Sequence, residues 1–455
     1  MPQPRPESPS APPSWPHCGK DPGPERPFGC PGIHIPGHTA CLAHLPQSDR
    51  DAFLAGLAPG ADIDHRGTPF TTELLGQLLT ALRDPATGSP HVGAAQFDWV
   101  AFSGDARFDR VTFSDSAGFN WAAFSGDARF DGAAFSGDAR FMRSTFANSA
   151  NFERASFSGD ALFERAGFSG AAVFVRSTFA KSAQFDLAAF SDVAWFDEAV
   201  FSGDALFGGA AFSDDARFSG AQFKAASHLG PLVCGKSVML NGALFQQPVT
   251  VNIAARKVSC ARTRWAETAT LHLRYTDLEL IDAVLNYPVT VVARPDPWFH
   301  QQGGVDRRDA PLSEVELSGQ EPCVRLTSVG GVDTAHLALQ DIDLSICRFA
   351  GAVHLDQMKV DGWCTFATTP TGWSRLFPWR WSRRITLAEE HHWRVRTARH
   401  PNLAVTRGWT TPPQNAPELK PTAVAALYRQ LRKSLEDGKN EPDAADFYYG
   451  ECGAA

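Results

Sequence analysis

From Ala95 onward the apolar positions follow a pattern that neither a helix nor a flat strand produces. Phenylalanine stands at 97, 102, 108, 113, 119, 124, 130 and 135, and then without a miss to 223, in steps that alternate five and six. The resulting 11-residue period holds two apolar positions and matches neither the helical nor the strand repeat. Two places before each phenylalanine stands a small or slim residue: Ala95, Val100, Ala106, Val111, Ala117, Ala122, and so on to Ala221. Short internal repeats of this kind predict a solenoid, in which each unit buries its apolar face only against its neighbours. Written in 22-residue rows, the sequence places Phe97, Phe119, Phe141, Phe163, Phe185 and Phe207 in one column, and four such columns hold all 24 repeat phenylalanines. Strands stacked about 4.8 Å apart bring the rings of a column within stacking reach, and the small residues face the same narrow lumen.

The flanks carry other signals. Ser48, with Asp51 three places on, predicts a helix through Leu57, and Thr71 or Thr72 opens a second whose Leu74, Leu75, Leu78, Leu79 and Leu82 would cover the open end of the coil. Beyond Phe223, runs such as VMLNGALF, VTVNIAARKVSC and ATLHLRYTDLELIDAVL predict strands with turns between them, and 296–322 reads as a protruding loop. Thr422 begins a helix that Gly438 ends, and Pro442 opens another, so an αα-hairpin is expected. The organisation expected is a disordered Pro-rich tail (1–16), a Cys/His-rich segment (17–47), a helical N-terminal cap (48–94), a Phe-cored coil (95–227), an irregular β-helical extension (228–367), a Trp/Arg-rich segment with linker (368–421) and a C-terminal helical hairpin (422–455).

The small residue two places before a central phenylalanine, as in FSGDARFDGAAFSGDARF, resembles the pentapeptide-repeat family. That resemblance implies a mainly β protein, a right-handed quadrilateral parallel β-helix with helical N- and C-terminal caps. The departure is that every second unit, FSGDAxF, is one position longer, so a four-sided coil should hold 22 rather than the family's 20. The segment CGK…FGCPG…CLAHL is similar to one that multi-domain members place before their coil. LYRQLRKSLEDGKNEPDAADFYYGE resembles the segment that precedes membrane-spanning helices in longer members, which implies a chain that stops short of a membrane region.

Composition narrows the function classes. The chain has 455 residues, with 33 Phe against 5 Tyr, and its 42 basic and 50 acidic residues leave a net charge of −8. That lacks the basic footprint of a nucleic-acid binder, so nucleic acid is disfavoured. The first residues contain no apolar stretch of a secretory signal, and nowhere is there an apolar run long enough to span a membrane, so a cytoplasmic chain is expected. An odd set of nine cysteines argues against a disulfide framework. Over 95–225 there are 17 acidic against 11 basic residues. The corner column Asp105, Asp127, Ser149, Ala171, Val193 and its counterpart Ser116, Asp138, Asp160, Ser182, Asp204 interrupt carboxylates with neutral residues. Interrupted ladders speak against a cation track and fit poorly with DNA mimicry of a topoisomerase substrate, as practised by the small quinolone-resistance members of the resembling family.

Cys18, Cys30, Cys41 and His44 offer three thiolates and an imidazole close together in the chain, the donor set of a closed, structural zinc site. Ordinary reduced thiols are the alternative, and His17, His34 or His38 could stand in for a ligand. No other cofactor is expected. Trp373, Arg375, Trp379, Arg380, Trp381, Arg383 and Arg384 form a basic aromatic stretch that either covers the end of the solenoid or contacts a protein partner or an anionic membrane surface. Glu389, Glu390, His391 and His392 read as a solvated polar face, because adjacent residues on one helix do not face one another. The sequence has no G-x-S-x-G, P-loop or H-E-x-x-H, so nothing points to an enzyme. The expected function is a non-enzymatic interaction scaffold, with homodimerisation open. The alternative is the soluble part of a membrane-associated pentapeptide-repeat protein, peripheral to the membrane.

Overall fold

The structure, a computed structural model, describes residues 12–24, 26–299, 311–370, 384–414 and 416–454. The chain divides into two compact units, one of Met1–Val238 with Trp298–Glu316 and one of Met239–Pro297 with Leu317–Ala455. Each contains stacked parallel strands.

In the first unit the 22-residue period becomes the rung of a four-sided coil. Ala95 pairs in parallel with Ala117, Ala117 with Ala139, Ala139 with Ala161, and so on to Ala205, through very short strands such as Ala95–Gln96. No repeat phenylalanine is more than 2% exposed. Rings of one column stack face to face, from 4.6 Å between Phe190 and Phe212 to 5.2 Å between Phe97 and Phe119. Rings from facing columns meet edge-on, as Phe119 does with Phe130 at 5.5 Å. Both arrangements suit the aromatic quadrupole, so every ring gains attraction beyond the area it buries.

Carboxylates tie successive rungs at both corner types, those of Asp98, Asp186 and Asp197 beside the shorter corners accepting from the next rung's N–H at 2.7–2.8 Å, but only the shorter corners turn left-handed. At the longer corners the carboxylate reaches the next rung: Asp105 accepts from the Asp127 N–H, Asp138 from that of Asp160, and Asp160 from that of Ser182, each at 3.2 Å. The interrupted Asp ladders are therefore backbone tethers between rungs. At the shorter corners, two places after the phenylalanine, the backbone turns left-handed. Trp99, Arg110, Trp121, Arg143, Arg154, Arg165, Arg176, Leu187 and Glu198 all have φ between 55° and 62°, and Gly132, Gly209 and Gly220 hold the same position. An L-residue there carries about 1–2 kcal/mol of strain. Arg165→Gly should therefore raise stability by about 0.5–1 kcal/mol after the entropic cost of glycine. A urea midpoint that falls instead would contradict the left-handed corner.

The coil begins before the phenylalanine repeat. Ile63 pairs with Ala95, Pro69 with Ala101 and His91 with Thr112, and Phe70 stacks on Phe102 at 5.8 Å. Helix α1 spans Gln47–Ala55 rather than Ser48–Leu57. Pro46, at φ −53°, takes the cap position, and the Gly56 N–H bonds the Ala52 carbonyl and ends the helix. Helix α2, Thr72–Ala81, is capped by Thr71, whose hydroxyl accepts from the Leu74 N–H at 3.2 Å. Its Leu74, Leu75, Leu78 and Leu79 are buried, and Thr72 Oγ1 donates to the Asp105 carbonyl at 2.9 Å.

In the second unit the rung shortens to a 20-residue period. Val249 pairs with Ala269 and Ala269 with Val289, while Leu244 pairs with Arg264 and Arg264 with Val284. Phe245 stacks on Trp265 at 4.5 Å, so one aromatic column persists on the shorter rung. Val289 then pairs with Leu337, which lies far more than one rung along the chain, so an insertion separates these two turns. Of the loop expected at 296–322, residues 300–310 lie outside the described residues.

Four helices follow: α3 (Ala388–Thr397), α4 (Pro401–Thr406), α5 (Pro421–Asp437) and α6 (Glu441–Ala454). Pro421, not Thr422, is the first residue of α5, where its missing N–H costs nothing. α5 and α6 pack as a hairpin, with Tyr428 edge-on to Phe447 at 5.2 Å. Ser434 Oγ donates to the Met358 carbonyl, and Lys433 pairs with Asp356 at 2.8 Å, so α5 sits on the last turns of this unit's coil.

Candidate metal centre

Residues 17–45 form a compact segment because short backbone pairings hold its turns. The Cys18 N–H bonds the Gly32 carbonyl at 2.8 Å, and the Gly19 N–H bonds the Cys30 carbonyl across the same hairpin. Cys41 precedes the short 3₁₀ turn Leu42–His44, and that turn brings its sulfur within 3.2 Å of His44 Nδ1. Gly32 must lack a side chain, since a Cβ there would lie 2.6 Å from that of Cys41.

Cys18, Cys30, Cys41 and His44 converge, their ligand atoms all within 4.8 Å of one another. Cys30 and Cys41 sulfurs are 3.8 Å apart, and Cys18 sulfur is 3.4 Å from His44 Nδ1. The edge of a tetrahedron with about 2.3 Å metal–sulfur bonds is about 3.8 Å, so the cluster could hold a metal ion with little movement. Cys41 is fully buried, and its hydrogen bond draws the Cys30 thiol down to about 6 while Cys41 itself is pushed up. A thiolate, the form that binds metal, is thus favoured within the cluster. On the far side of the imidazole, His44 Nε2 lies 3.8 Å from the Asp21 carboxylate, where a ligand histidine commonly meets an orienting acid. The competing histidines turn elsewhere: His34 Nε2 bonds the His17 carbonyl at 2.8 Å, His17 Nδ1 faces the Trp15 carbonyl, and His38 lies beside Asp49.

Of the basic aromatic stretch, Trp373, Arg375, Trp379, Arg380, Trp381 and Arg383 lie outside the described residues. Arg384 is described, and its guanidinium pairs with buried Glu390. No helix among the described residues is long and apolar enough to cross a membrane.

The polar run in α3 is not a solvated face. Glu389, Glu390 and His391 are each at most 4% exposed. Glu390 receives Arg384 at 2.7 Å, Arg394 at 2.7 Å and the Tyr428 hydroxyl. Burial works to raise its pKa, but these donors outweigh it and hold the carboxyl below its usual range. His391 Nε2 meets Thr386 Oγ1 at 2.9 Å, and burial lowers its pKa. Adjacent residues do diverge around a helix, but α3 is enclosed on several sides, so each divergent side chain finds its own buried partner. Nothing in the local sequence signals this, because the partners Tyr428 and Phe349 lie in distant parts of the chain.

Fold and repeat together define a class, the parallel β-solenoids built from short repeats. Within that class, the family described as Pentapeptide repeats (9 copies) matches residues 97–145 and 185–229, and the phenylalanine coil is a pentapeptide-repeat solenoid. No curated protein and no solved structure is matched by the chain.

Proposed function

We propose that the chain is an interaction scaffold whose N-terminal segment is stapled by structural zinc and whose coil presents a fixed outer surface to a protein partner. The observation that carries this reading is an aromatic–cationic stripe along one corner of the first unit. Trp99 stacks on Trp121 at 4.7 Å with planes 5° apart, and Arg143 of the next rung lies 4.4 Å over the Trp121 ring. All three occupy left-handed corners, where bulky side chains are strained and glycine would be easier. The coil's own packing is complete without them, since its core is phenylalanine and alanine. Tryptophan and arginine are also the residue types that dominate interface hot spots.

A photo-crosslinking residue at position 143 of the full chain, expressed in its native cells, should give a discrete adduct. That adduct should be lost by at least tenfold when Trp99 and Trp121 become alanine. No adduct, or an adduct indifferent to both tryptophans, overturns the reading.

A further inference from the structure

One buried acid is left incomplete by the packing. Glu389 Oε1 accepts from the backbone N–H groups of Phe349 and Ala350, the second at 3.0 Å, but Oε2 is sealed from solvent and meets no donor. It borders a cavity of about 110 Å³ within the second unit, whose walls include Ile281, Arg348, His392, Trp393 and Leu419. Arg348 makes no side-chain hydrogen bond or ion pair among the described residues, although its charge is felt at Glu389 and His392. Arg396, also on the wall, spends two N–H donors on the carbonyls of Ala416 and Pro417. Arg348 and Glu389 thus line one cavity, and neither satisfies the other. A buried polar group without a partner is costly, and a native protein that keeps one on a cavity wall beside an unengaged, half-buried arginine leaves room for a third group to bridge the two.

The surrounding charge decides what that group is. Glu389 is the sole carboxylate among the described residues on the wall, against Arg348 and Arg396. Burial, the neighbouring His391 and these two arginines drive the His392 imidazole down to about 4, so it stays neutral. The same burial lifts Glu389 to about 7, which makes its protonated, hydrogen-donating form available near neutrality. The remaining wall is largely apolar.

We infer that this cavity binds a small organic carboxylate. One ligand oxygen accepts from the Arg348 guanidinium, the other from a proton on Glu389 Oε2, and a short hydrocarbon body rests against Ile281, Trp393 and Leu419. An apolar cavity of about 150 Å³ holds benzene, so a ligand of roughly six heavy atoms suits this somewhat smaller space.

Saturation-transfer NMR on the full chain, with butyrate, butyramide and n-butylammonium as matched probes, tests the assignment. Butyrate should bind at least tenfold more tightly than either of the others. Arg348→Met, shown by circular dichroism to be folded, should lose that preference, whereas Glu389→Gln, whose amide still donates, should keep binding within about threefold. The comparison among probes on the wild-type chain needs no variant to fold. Preference for butylammonium, which would mean an ionised Glu389 acting as a cation site, overturns the inference. So does equal binding of all three probes, or binding of none.

Discussion

Phe141→Ala is expected to lower the stability of the first unit by about 3–5 kcal/mol, the range for deleting a fully buried aromatic ring. Phe141 has no exposed surface and is stacked between Phe119 and Phe163, each at 4.8 Å, with Phe130 and Phe152 edge-on at 5.3 and 5.4 Å. With Phe135 also edge-on at 6.1 Å, the substitution removes two stacked and three edge contacts together, and pairs of this kind contribute about 0.5–1.5 kcal/mol each beyond area burial. Neighbouring rings cannot close the gap, because every column is pinned at the rung spacing by the backbone ladder. In a solenoid whose rungs contact only their neighbours, loss in the middle uncouples the two halves, so the unfolding transition should also broaden. Urea unfolding, followed by far-UV circular dichroism, measures both effects. A loss under about 1 kcal/mol would mean that the columns are not close-packed. Arg140→Ala, beside it in the chain but on the outer face and about half exposed, supplies the contrast and should change stability by no more than about 0.5 kcal/mol.

Removal of the metal should have the other large effect. The chain purified without chelator should carry one equivalent of zinc by elemental analysis, and Cys41→Ser should abolish it. Structural zinc sites contribute roughly 10–16 kcal/mol of binding free energy in isolated finger peptides, and that energy is folding energy for the segment that supplies the ligands. Residues 17–45 have few other anchors. Among the described residues their regular structure amounts to isolated bridges and one 3₁₀ turn, with Ile35, Leu42 and Leu45 as the chief buried apolar side chains. Chelation should therefore expose this segment to limited proteolysis while the coil beyond it keeps its strand signal. His17→Ala, His34→Ala and His38→Ala should each leave the zinc content unchanged, because these rings face backbone carbonyls or Asp49 instead of the cluster. A metal-free chain whose proteolytic pattern ignores chelator would reduce the cluster to ordinary thiols.

The coil and the metal cluster are legible in the sequence to different degrees. Spacing alone places all 24 phenylalanines in four columns, because each rung translates the previous one and every side chain meets the same neighbours at a single 22-residue offset. The left-handed corners also leave a mark in the sequence: Gly132, Gly209 and Gly220 fall in register with Trp99 and Arg110 at multiples of 11. The metal ligands could be enumerated as Cys18, Cys30, Cys41 and His44, but three further histidines compete until the hairpin fixes which ring faces the sulfurs.

What the sequence determined by itself was periodic: the coil, its 22-residue rung, the inward phenylalanines and the small residues that make room for them. Periodicity encodes contacts directly, since the partner of every residue lies at one fixed offset. What only the tertiary structure decided was aperiodic. Beyond Met239 the rung takes its shorter, 20-residue period, where the phenylalanines no longer mark it. Glu389 and Glu390, expected in solvent, are buried against Phe349, Ala350, Arg384, Arg394 and Tyr428. These contacts join positions at no repeating offset, several of them far apart in the chain, so the burial of α3, and the cavity beside it, arises only when the helices settle onto the coil.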